Sequence, residues 1–247
     1  LFLFDEGSKS WVSEDDGRSW TRLAHRAHVG RDDPPWLRVS NQSYFAISQV
    51  VFDPVHPDRL WVGAGTGVYR AELPRGTSLV DWASDTRGIE ELVANDVLKA
   101  PGQSPLFAAW DFGIHVRDDL DAYSTRYGPK ERVVIAAQQL AGSPANPAFV
   151  ATNASDTRTF CCAEDGDAIL ASYSLDGGRH WTRFPTLPQP PGTKAEDPWR
   201  MSFGMIAVSS SDTNNLIWAP SFNRSPFYTR DLGINWKRVS LPGETLP

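Results

Sequence analysis

Three copies of one eight-residue motif, Ser/Thr-x-Asp-x-Gly-x-x-Trp, constrain what this chain can fold into. The copies occupy residues 13–20, 174–181 and 229–236, with Thr in place of Ser in the third. Each lies between two short β-type runs, which predicts a β-hairpin turn: Asp and Ser hydrogen-bond the turn backbone, and Gly supplies a positive φ. Trp opens the outgoing strand and covers the turn with a large apolar ring. We call this motif the box and predict that its residues are structural.

The spacing of the boxes predicts a repeat architecture. The first two begin 161 positions apart, and the second and third begin 55 apart. The longer interval is close to three times the shorter, so two degenerate copies are expected between them, and Val68–Glu72 and His115–Asp121 fit. A period of about 54 residues suits a four-stranded propeller blade. The sequence therefore predicts an all-β fold, a β-propeller with four-stranded blades and about five blade units, of which the first lacks its first strand.

Short β-type runs between Gly, Pro and Asp turns predict the individual strands. The predicted strands of the second and fifth units are 47–52, 60–63, 67–70, 79–82, 205–208, 216–219, 227–229 and 236–239. Residues 25–42 are predicted to be a polar loop, and an extra excursion is expected around 160–167. No long helix is predicted, although one helical turn could form over Glu90–Ala94.

Charge and composition exclude several classes of partner. The formal net charge is −6, so nucleic acid and anionic membranes are poor partners. No apolar run approaches the roughly 20 residues of a membrane-spanning helix. Cys161 and Cys162 are adjacent, and neighbouring cysteines rarely bridge without strain, so no disulfide framework is predicted. The His and Cys residues show no metal-ligand spacing, and neither a metal nor a cofactor is expected.

Longer stretches in the middle of the chain resemble the family 74 glycoside hydrolases, the xyloglucanases. These stretches are Tyr44–Pro54, Leu60–Tyr69, Gly88–Leu98, Trp110–His115, Asp118–Asp121, Asn146–Val150 and Ile217–Pro220. They keep the order of that family, which has two seven-bladed propellers with a substrate cleft between them. The resemblance implies that residues 1–87 are blades from the end of an N-terminal propeller and residues 88–247 blades from the start of a C-terminal one. It also implies that a segment of the N-terminal propeller is missing from this chain.

The resemblance assigns a catalytic role to one residue of this chain. The family uses two Asp residues, and one of them maps onto Asp111, at the end of an apolar strand; the alternative is a turn residue before Gly113. The second has no convincing match, because Asp5-Glu6-Gly7 occupies its place without the flanking pattern. Glycosidic bond hydrolysis needs one carboxyl group to protonate the leaving oxygen and another to activate water. Phe112-Gly113-Ile114 also replaces small residues, so the cleft is either reshaped for another glycan or has lost catalysis.

Several residues are candidates for binding a polysaccharide or oligosaccharide. They are Trp110, Trp36, Tyr44, His115, Trp199 and Arg200. Trp110 and Trp36 could stack on sugar rings, although packing within a blade explains each of them equally well. Tyr44 precedes a first strand, and Trp199 with Arg200 lies in a long Pro-rich loop. His115 could assist Asp111, and the competing interpretation is a hydrogen-bonded structural histidine.

The function predicted on these grounds is a glycoside hydrolase that acts on a β-linked polysaccharide, xyloglucan or a similar β-glucan. By resemblance its mechanism is inverting and its location secreted or periplasmic. Two alternatives stay open. A non-catalytic propeller that binds glycan or protein would explain the missing second carboxylate. A sialidase-like enzyme would carry the same boxes but needs a cluster of three Arg residues and a Tyr nucleophile, whereas the Arg residues here mostly stand beside boxes.

Overall fold

The computed structural model describes residues 1–5, 9–40, 47–73, 75–89, 92–110, 112–124, 137–154, 171–194, 201, 204–221, 223–240 and 242–243. Strands dominate these residues, and the predicted all-β class is confirmed. The chain forms two compact units, of which the first spans Leu1–Leu92 and the second takes the described residues from Val93 onward. That residues 1–87 and 88–247 come from two different propellers stays a prediction.

The described part of the first unit contains seven strands and one 3-10 helix. The strands are β1 (Phe2–Phe4), β2 (Ser10–Val12), β3 (Thr21–His28), β4 (Ile47–Phe52), β5 (Arg59–Ala64), β6 (Gly67–Glu72) and β7 (Leu79–Ser84). They form one sheet in the order β1-β2-β3-β7-β6-β5-β4. Neighbouring strands are antiparallel except β3 and β7, which pair in parallel from Ala24 opposite Leu79 to His28 opposite Ala83. The sheet therefore joins the first two predicted units through their last strands.

The loop predicted over residues 25–42 was wrong at two places. Strand β3 continues to His28, because its pairing with β7 satisfies the backbone of a segment whose polar side chains suggested a loop. A 3-10 helix then spans Pro35–Ser40, where only a loop was predicted. Proline is favoured at the first position of a helix, and Leu37, at 0% exposure, anchors this one.

The two halves of the seven-stranded sheet bury one shared core. Phe2 of β1 packs edge-on against Trp82 of β7, with ring centroids 6.3 Å apart and planes at 89°. Trp82 is fully buried, and its Nε1 donates a hydrogen bond of 2.8 Å to Nδ1 of His25. Because Nδ1 accepts, the neutral His25 ring carries its proton on Nε2.

Among the described residues, the second unit contains three sheets in chain order. Its strands are β8 (Ala94–Leu98), β9 (Leu106–Ala109), β10 (Gly113–Val116), β11 (Ala137–Ser143), β12 (Asn146–Ala154), β13 (Ala171–Ser174), β14 (Thr182–Arg183), β15 (Met205–Val208), β16 (Leu216–Ala219), β17 (Phe227–Thr229) and β18 (Lys237–Arg238). The sheets are β8–β10, β11–β14 and β15–β18, each an antiparallel meander. Ala94 is the first residue of β8, so the helical turn predicted over Glu90–Ala94 does not extend to Ala94. Glu90 and Glu91 lie outside the described residues.

Each box forms the predicted turn by the same set of hydrogen bonds. In the first, Ser13 Oγ donates to Asp15 Oδ1 (2.9 Å) and accepts from the Gly17 N–H (2.7 Å). Asp15 Oδ1 also accepts from the Ser19 N–H at 2.8 Å. The second and third boxes repeat these bonds around Asp176 and Asp231. In each box, the Ser or Thr and the Asp side chains therefore hold the turn backbone, which is the structural role predicted for them.

The box glycines are required for two physical reasons. Gly178 and Gly233 have φ of 85° and 80°, a left-handed conformation that side chains disfavour. A Cβ on Gly178 would also lie 2.7 Å from a methyl carbon of Leu106 in the preceding sheet. On Gly233 it would lie 2.7 Å from the ring of Phe184, which directly follows β14 of the preceding sheet. The box thus closes a hairpin and packs it on its neighbour.

Candidate functional site

The hairpin between β9 and β10 carries the predicted catalytic segment. Ala109 pairs with Gly113, so Trp110, Asp111 and Phe112 make a three-residue connection. Gly113, which follows this connection and begins β10, has φ of 72°, a left-handed conformation that glycine adopts readily. Asp111 itself lies outside the described residues, and its catalytic role stays a prediction.

The two residues beside Asp111 differ in exposure. Trp110 is half-buried, and its backbone N–H donates to the carbonyl of Val93 at 2.9 Å, which ties the connection to the start of β8. Phe112 is 4% exposed and Ile114 8% exposed. These two apolar residues, which depart from the family pattern, are therefore packing residues of this unit. Of Trp110 and Phe112, Trp110 is the less buried residue.

His115 belongs to the same hairpin but lies inside it. It pairs with Phe107 across β9 and β10 and is 4% exposed. A ring at this depth cannot contact a polysaccharide in solvent without movement of the strand. The structure therefore brings Trp110 and His115 into one hairpin, with only Trp110 at the surface, and a substrate contact by His115 stays a prediction.

The remaining predicted binding residues lie elsewhere. Trp36 is in the 3-10 helix of the first unit and is 3% exposed, so its ring lacks the open face that sugar stacking uses. Tyr44, Trp199 and Arg200 lie outside the described residues. Their roles, and any substrate contact of Trp36, stay predictions.

Asp5, the nearest equivalent of the missing second carboxylate, behaves as a turn residue. Its Oδ1 accepts a hydrogen bond of 2.9 Å from the backbone N–H of Lys9, and its own N–H donates to the Lys9 carbonyl at 2.9 Å. These bonds close the β1–β2 hairpin. Glu6 and Gly7 lie outside the described residues. Within the described part of the first unit, Asp5 is therefore occupied in holding a turn.

The carboxylates with the most strongly lowered pKa values are turn residues too. A hydrogen bond from the Ser19 side chain, followed by one from its backbone, lowers the pKa of Asp15 to about 2. The Asn235 side chain and backbone do the same for Asp231. The indole N–H of Trp61 lowers the pKa of Asp53 to about 2, and Asp53 caps the turn after β4. All three are held ionised, which suits a turn and does not suit a general acid.

Among the described residues there is neither a metal-binding cluster nor a membrane-spanning helix. There, His, Cys, Asp and Glu side chains form no group that could hold a metal ion. In that same part of the chain, no helix has the length and apolar character to cross a membrane.

Sequence reasoning missed a set of polar side chains that link the sheets of the second unit. Asp96 Oδ2 accepts from the Leu140 N–H at 2.8 Å, and the Asn95 side-chain amide donates to the Ala137 carbonyl at 2.7 Å. These bonds hold β8 of the candidate hairpin's sheet to β11. Polar residues within otherwise apolar strands were the available signal, because a buried polar group needs a partner.

Comparisons with known proteins agree with this fold. No family model matches the chain. It is 30% identical over 258 residues to a xyloglucanase of Acetivibrio thermocellus, covering 96% of this chain and 27% of that protein. It is 26% identical over 250 residues to the oligoxyloglucan-reducing end-specific xyloglucanase of Emericella nidulans, covering 92% of this chain and 28% of that protein.

Two solved structures show the architecture. The family 74 xyloglucanase of Xanthomonas campestris matches with a TM-score of 0.67 and 25% identity, over 95% of this chain and 31% of that one. A family 74 enzyme of Niastella koreensis matches with a TM-score of 0.57 and 20% identity, over 93% of this chain and 29% of that one. The fold is therefore part of a β-propeller, as predicted, and the resemblance to family 74 glycoside hydrolases is confirmed. The chain spans 27–31% of the length of these relatives.

Proposed function

We propose that this chain is part of a secreted glycoside hydrolase that cleaves the β-linked backbone of a xyloglucan-type polysaccharide. The observation that carries the proposal is the 30% identity to a xyloglucanase over 96% of the chain. The Trp110–His115 hairpin supports it, because the segment that resembles the family's catalytic motif sits at a strand end next to a half-buried Trp.

The mechanism that follows is inverting acid/base hydrolysis with Asp111 as one member of the carboxyl pair. An inverting enzyme places its two carboxyl groups about 6.5–9.5 Å apart, so that water fits between one of them and the sugar. Asp5 already holds a turn, so we assign the second carboxyl group to the part of the longer relatives that lies outside the region this chain matches. Trp110 offers its ring face to a pyranose beside Asp111.

Reducing-end release from xyloglucan and unsubstituted β-glucans tests the proposal. Asp111→Asn should lower the rate by roughly 10²–10⁴-fold if the carboxyl group transfers a proton. Asp121→Asn is the matched control: it removes an exposed carboxylate from the segment after β10 and should leave the rate unchanged. Equal rates for wild type and Asp111→Asn would remove Asp111 from the mechanism.

A second function, glycan binding without hydrolysis, is favoured by the turn role of Asp5. Affinity electrophoresis in xyloglucan gels separates the two. Retarded migration without reducing-end release, with a loss of retardation in Trp110→Ala, would assign binding. If the protein showed no retarded migration and released no reducing ends, both functions would be overturned.

A further inference from the structure

Strand β8, at the start of the second unit, carries one extra residue where it faces the end of β9. Its register against β9 shifts by one residue between Ala94 and Asp96, which leaves Asn95 as the extra residue. This arrangement is a β-bulge, a feature that is over-represented next to active sites, where it re-aims a side chain. The end of β9 leads directly into the candidate catalytic connection over residues 110–112.

The bulge decides which residue lies opposite Trp110. The Trp110 N–H donates to the Val93 carbonyl at 2.9 Å, just beyond the last pair of the ladder. Asp96 pairs with Ala108, and an unbroken register from that pair would bring Ala94 opposite Trp110. The extra residue therefore gives this place to Val93 and sets the backbone position at which the connection is tied down.

The side chain of Asn95 fixes the bulge to a neighbouring sheet. Its Nδ2 donates a hydrogen bond of 2.7 Å to the backbone carbonyl of Ala137, the first residue of β11. Ala137 is fully buried, so water does not readily replace this donor. The next residue of β8, Asp96, accepts from the Leu140 N–H at 2.8 Å. The two bonds hold the bulged segment against β11 at two points.

The extra residue of β4, in the first unit, is bonded differently. In β4 the register shifts between Ile47 and Gln49, which leaves Ser48 as the extra residue. The Ser48 hydroxyl donates at 3.0 Å to the carbonyl of Gly63, within its own sheet. A bulge can thus be held by its own sheet. The bridge from Asn95 to a second sheet is therefore an additional constraint, and it lies beside the candidate catalytic connection.

We propose that Asn95 is a positioning residue for the connection over residues 110–112, a role that rests on the proposed glycoside hydrolase function. Its amide anchors the bulge to β11, and the bulge places the Val93 carbonyl opposite Trp110. The bond between Val93 and Trp110 then holds the connection at the start of β8. Asn95 thereby acts through the backbone and contributes no group to the reaction.

Amide hydrogen exchange tests the structural step with a readout that does not depend on hydrolysis. Asn95→Ala removes the bond to Ala137 and should speed exchange of the Trp110 amide by about tenfold or more, because the segment that holds its acceptor is released. Asn153→Ala is the matched control, since Asn153 donates in the same way, at 3.1 Å, to the carbonyl of Gly204 in the next sheet. It should leave exchange at Trp110 within about twofold.

Reducing-end release from xyloglucan tests the consequence for the reaction. Asn95→Ala should lower kcat by about tenfold or more, because a small displacement of a positioned group is enough for such a loss. Asn153→Ala should leave kcat within about twofold. Asn95→Asp keeps the size of the side chain but, ionised at neutral pH, donates no hydrogen bond, so it should reproduce the loss. Circular dichroism verifies that each variant is folded at the temperature of the assay.

The two measurements separate the failure of this proposal from the failure of the proposed function. Unchanged exchange at Trp110 in both Asn95 variants, or equal effects of Asn95→Ala and Asn153→Ala on exchange or on rate, would overturn the positioning role. An active enzyme whose rate Asn95→Ala leaves unchanged would overturn it too. If the wild type releases no reducing ends, the proposed hydrolysis fails, and the exchange result alone decides whether Asn95 holds the connection.

Discussion

The side-chain carbonyl of Gln139 accepts a hydrogen bond of 2.8 Å from the backbone N–H of Ile206, in the next sheet. Beside it, the side-chain amide of Asn153 donates to the carbonyl of Gly204 at 3.1 Å. Gln139 and Asn153 face each other across β11 and β12. Together they hold β15, the first strand of its sheet, through the Ile206 N–H and the Gly204 carbonyl.

The preceding pair of sheets uses the same device with different residues. Asp96 and Asn95 of β8 bind the Leu140 N–H and the Ala137 carbonyl of β11. A register shift precedes the bonding residue in both strands. It lies between Ala94 and Asp96 in β8 and between Ala137 and Gln139 in β11. A bulge turns successive side chains away from strict alternation, which aims them at the neighbouring sheet.

Gln139→Ala should destabilise the protein by about 1–3 kcal/mol, because it leaves the buried Ile206 N–H without an acceptor. Ile206 is 1% exposed, so water cannot replace the lost bond without disturbing the core. Urea unfolding followed by tryptophan fluorescence measures the change in the free energy of unfolding.

Gln138→Ala is the matched control for this prediction. It removes the same side chain one residue earlier, and the Oε1 of Gln138 is buried with no hydrogen-bond partner among the described residues. Its removal should cost less than about 1 kcal/mol, since no bond is broken. Equal losses in the two variants would show that the Gln139–Ile206 bond does not hold the sheets together.

Gly178→Ala should destabilise the second unit by more than the conformational cost of a left-handed alanine. The added Cβ would meet methyl carbons of Leu106 at 2.7 and 2.8 Å, so that Leu106, itself 2% exposed, must move within the core. Overpacking of a core costs about 1–3 kcal/mol. Thermal unfolding by circular dichroism measures the shift in Tm.

Gly102→Ala separates the two contributions. Gly102 has φ of 72°, in the same left-handed region, but a Cβ there would meet no atom within 4 Å. Its cost should be the conformational part alone, about 1–2 kcal/mol. If Gly178→Ala cost no more than Gly102→Ala, the contact between box and Leu106 would be irrelevant to stability.

How far the sequence could go is clearest at the boxes. Ser174, Asp176 and Gly178 form a local unit, in which the bonds of the Ser174 and Asp176 side chains join residues four or fewer apart, so the motif alone predicts it. The strands of the second and fifth units follow from the same local signals, and their predicted and observed ends differ by only a few residues.

Long-range pairing was beyond the sequence. The parallel pairing of β3 with β7 joins Arg26 to Asp81, 55 residues apart, and no local pattern specifies it. The bond from Ile206 to Gln139 spans 67 residues for the same reason. In the candidate site, burial decided what composition could not: Trp110 and Trp36 are the same residue type next to turn-forming residues, and only Trp110 keeps surface.

The box carboxylates should make the protein sensitive to acid over a defined range. The pKa of Asp231 is about 2 in the folded protein, mainly because the Asn235 side chain donates to it, against an ordinary 3.8. When folding lowers the pKa of a carboxyl group, the group stabilises the folded state at pH values above its ordinary pKa. This stabilisation is lost as the pH falls through the pKa that the group has in the folded protein. Stability should therefore decline between pH 3.8 and about 2.

Asn235→Ala removes that donor, so the pKa of Asp231 should rise and unfolding should begin at higher pH. Ser19→Ala should act in the same direction on Asp15, whose largest contribution comes from the Ser19 side chain. Asn214→Ala removes an Asn–Asp hydrogen bond of 3.0 Å outside the boxes and serves as the control. Urea midpoints measured at a series of pH values give the result, and unchanged acid profiles for both box variants would contradict it.

The Arg26–Asp81 ion pair should contribute little to the joint between β3 and β7. Arg26 Nε and Nη2 donate to the two oxygens of Asp81 at 2.5 and 2.8 Å, but the side chains are 52% and 46% exposed. Exposed pairs contribute about 0.2–1 kcal/mol, and salt screens them. A double-mutant cycle with Arg26→Ala and Asp81→Ala measures the coupling energy, which should shrink as ionic strength rises.

The apolar side of the same joint should dominate its stability. Trp82 on β7 is 0% exposed and packs on His25 of β3, with ring centroids 6.2 Å apart. Trp82→Ala should cost about 3–5 kcal/mol, because it removes a large buried ring and its hydrogen bond. A coupling energy between Arg26 and Asp81 that exceeds this cost would mean that surface charge, and not the core, joins the two halves of the sheet.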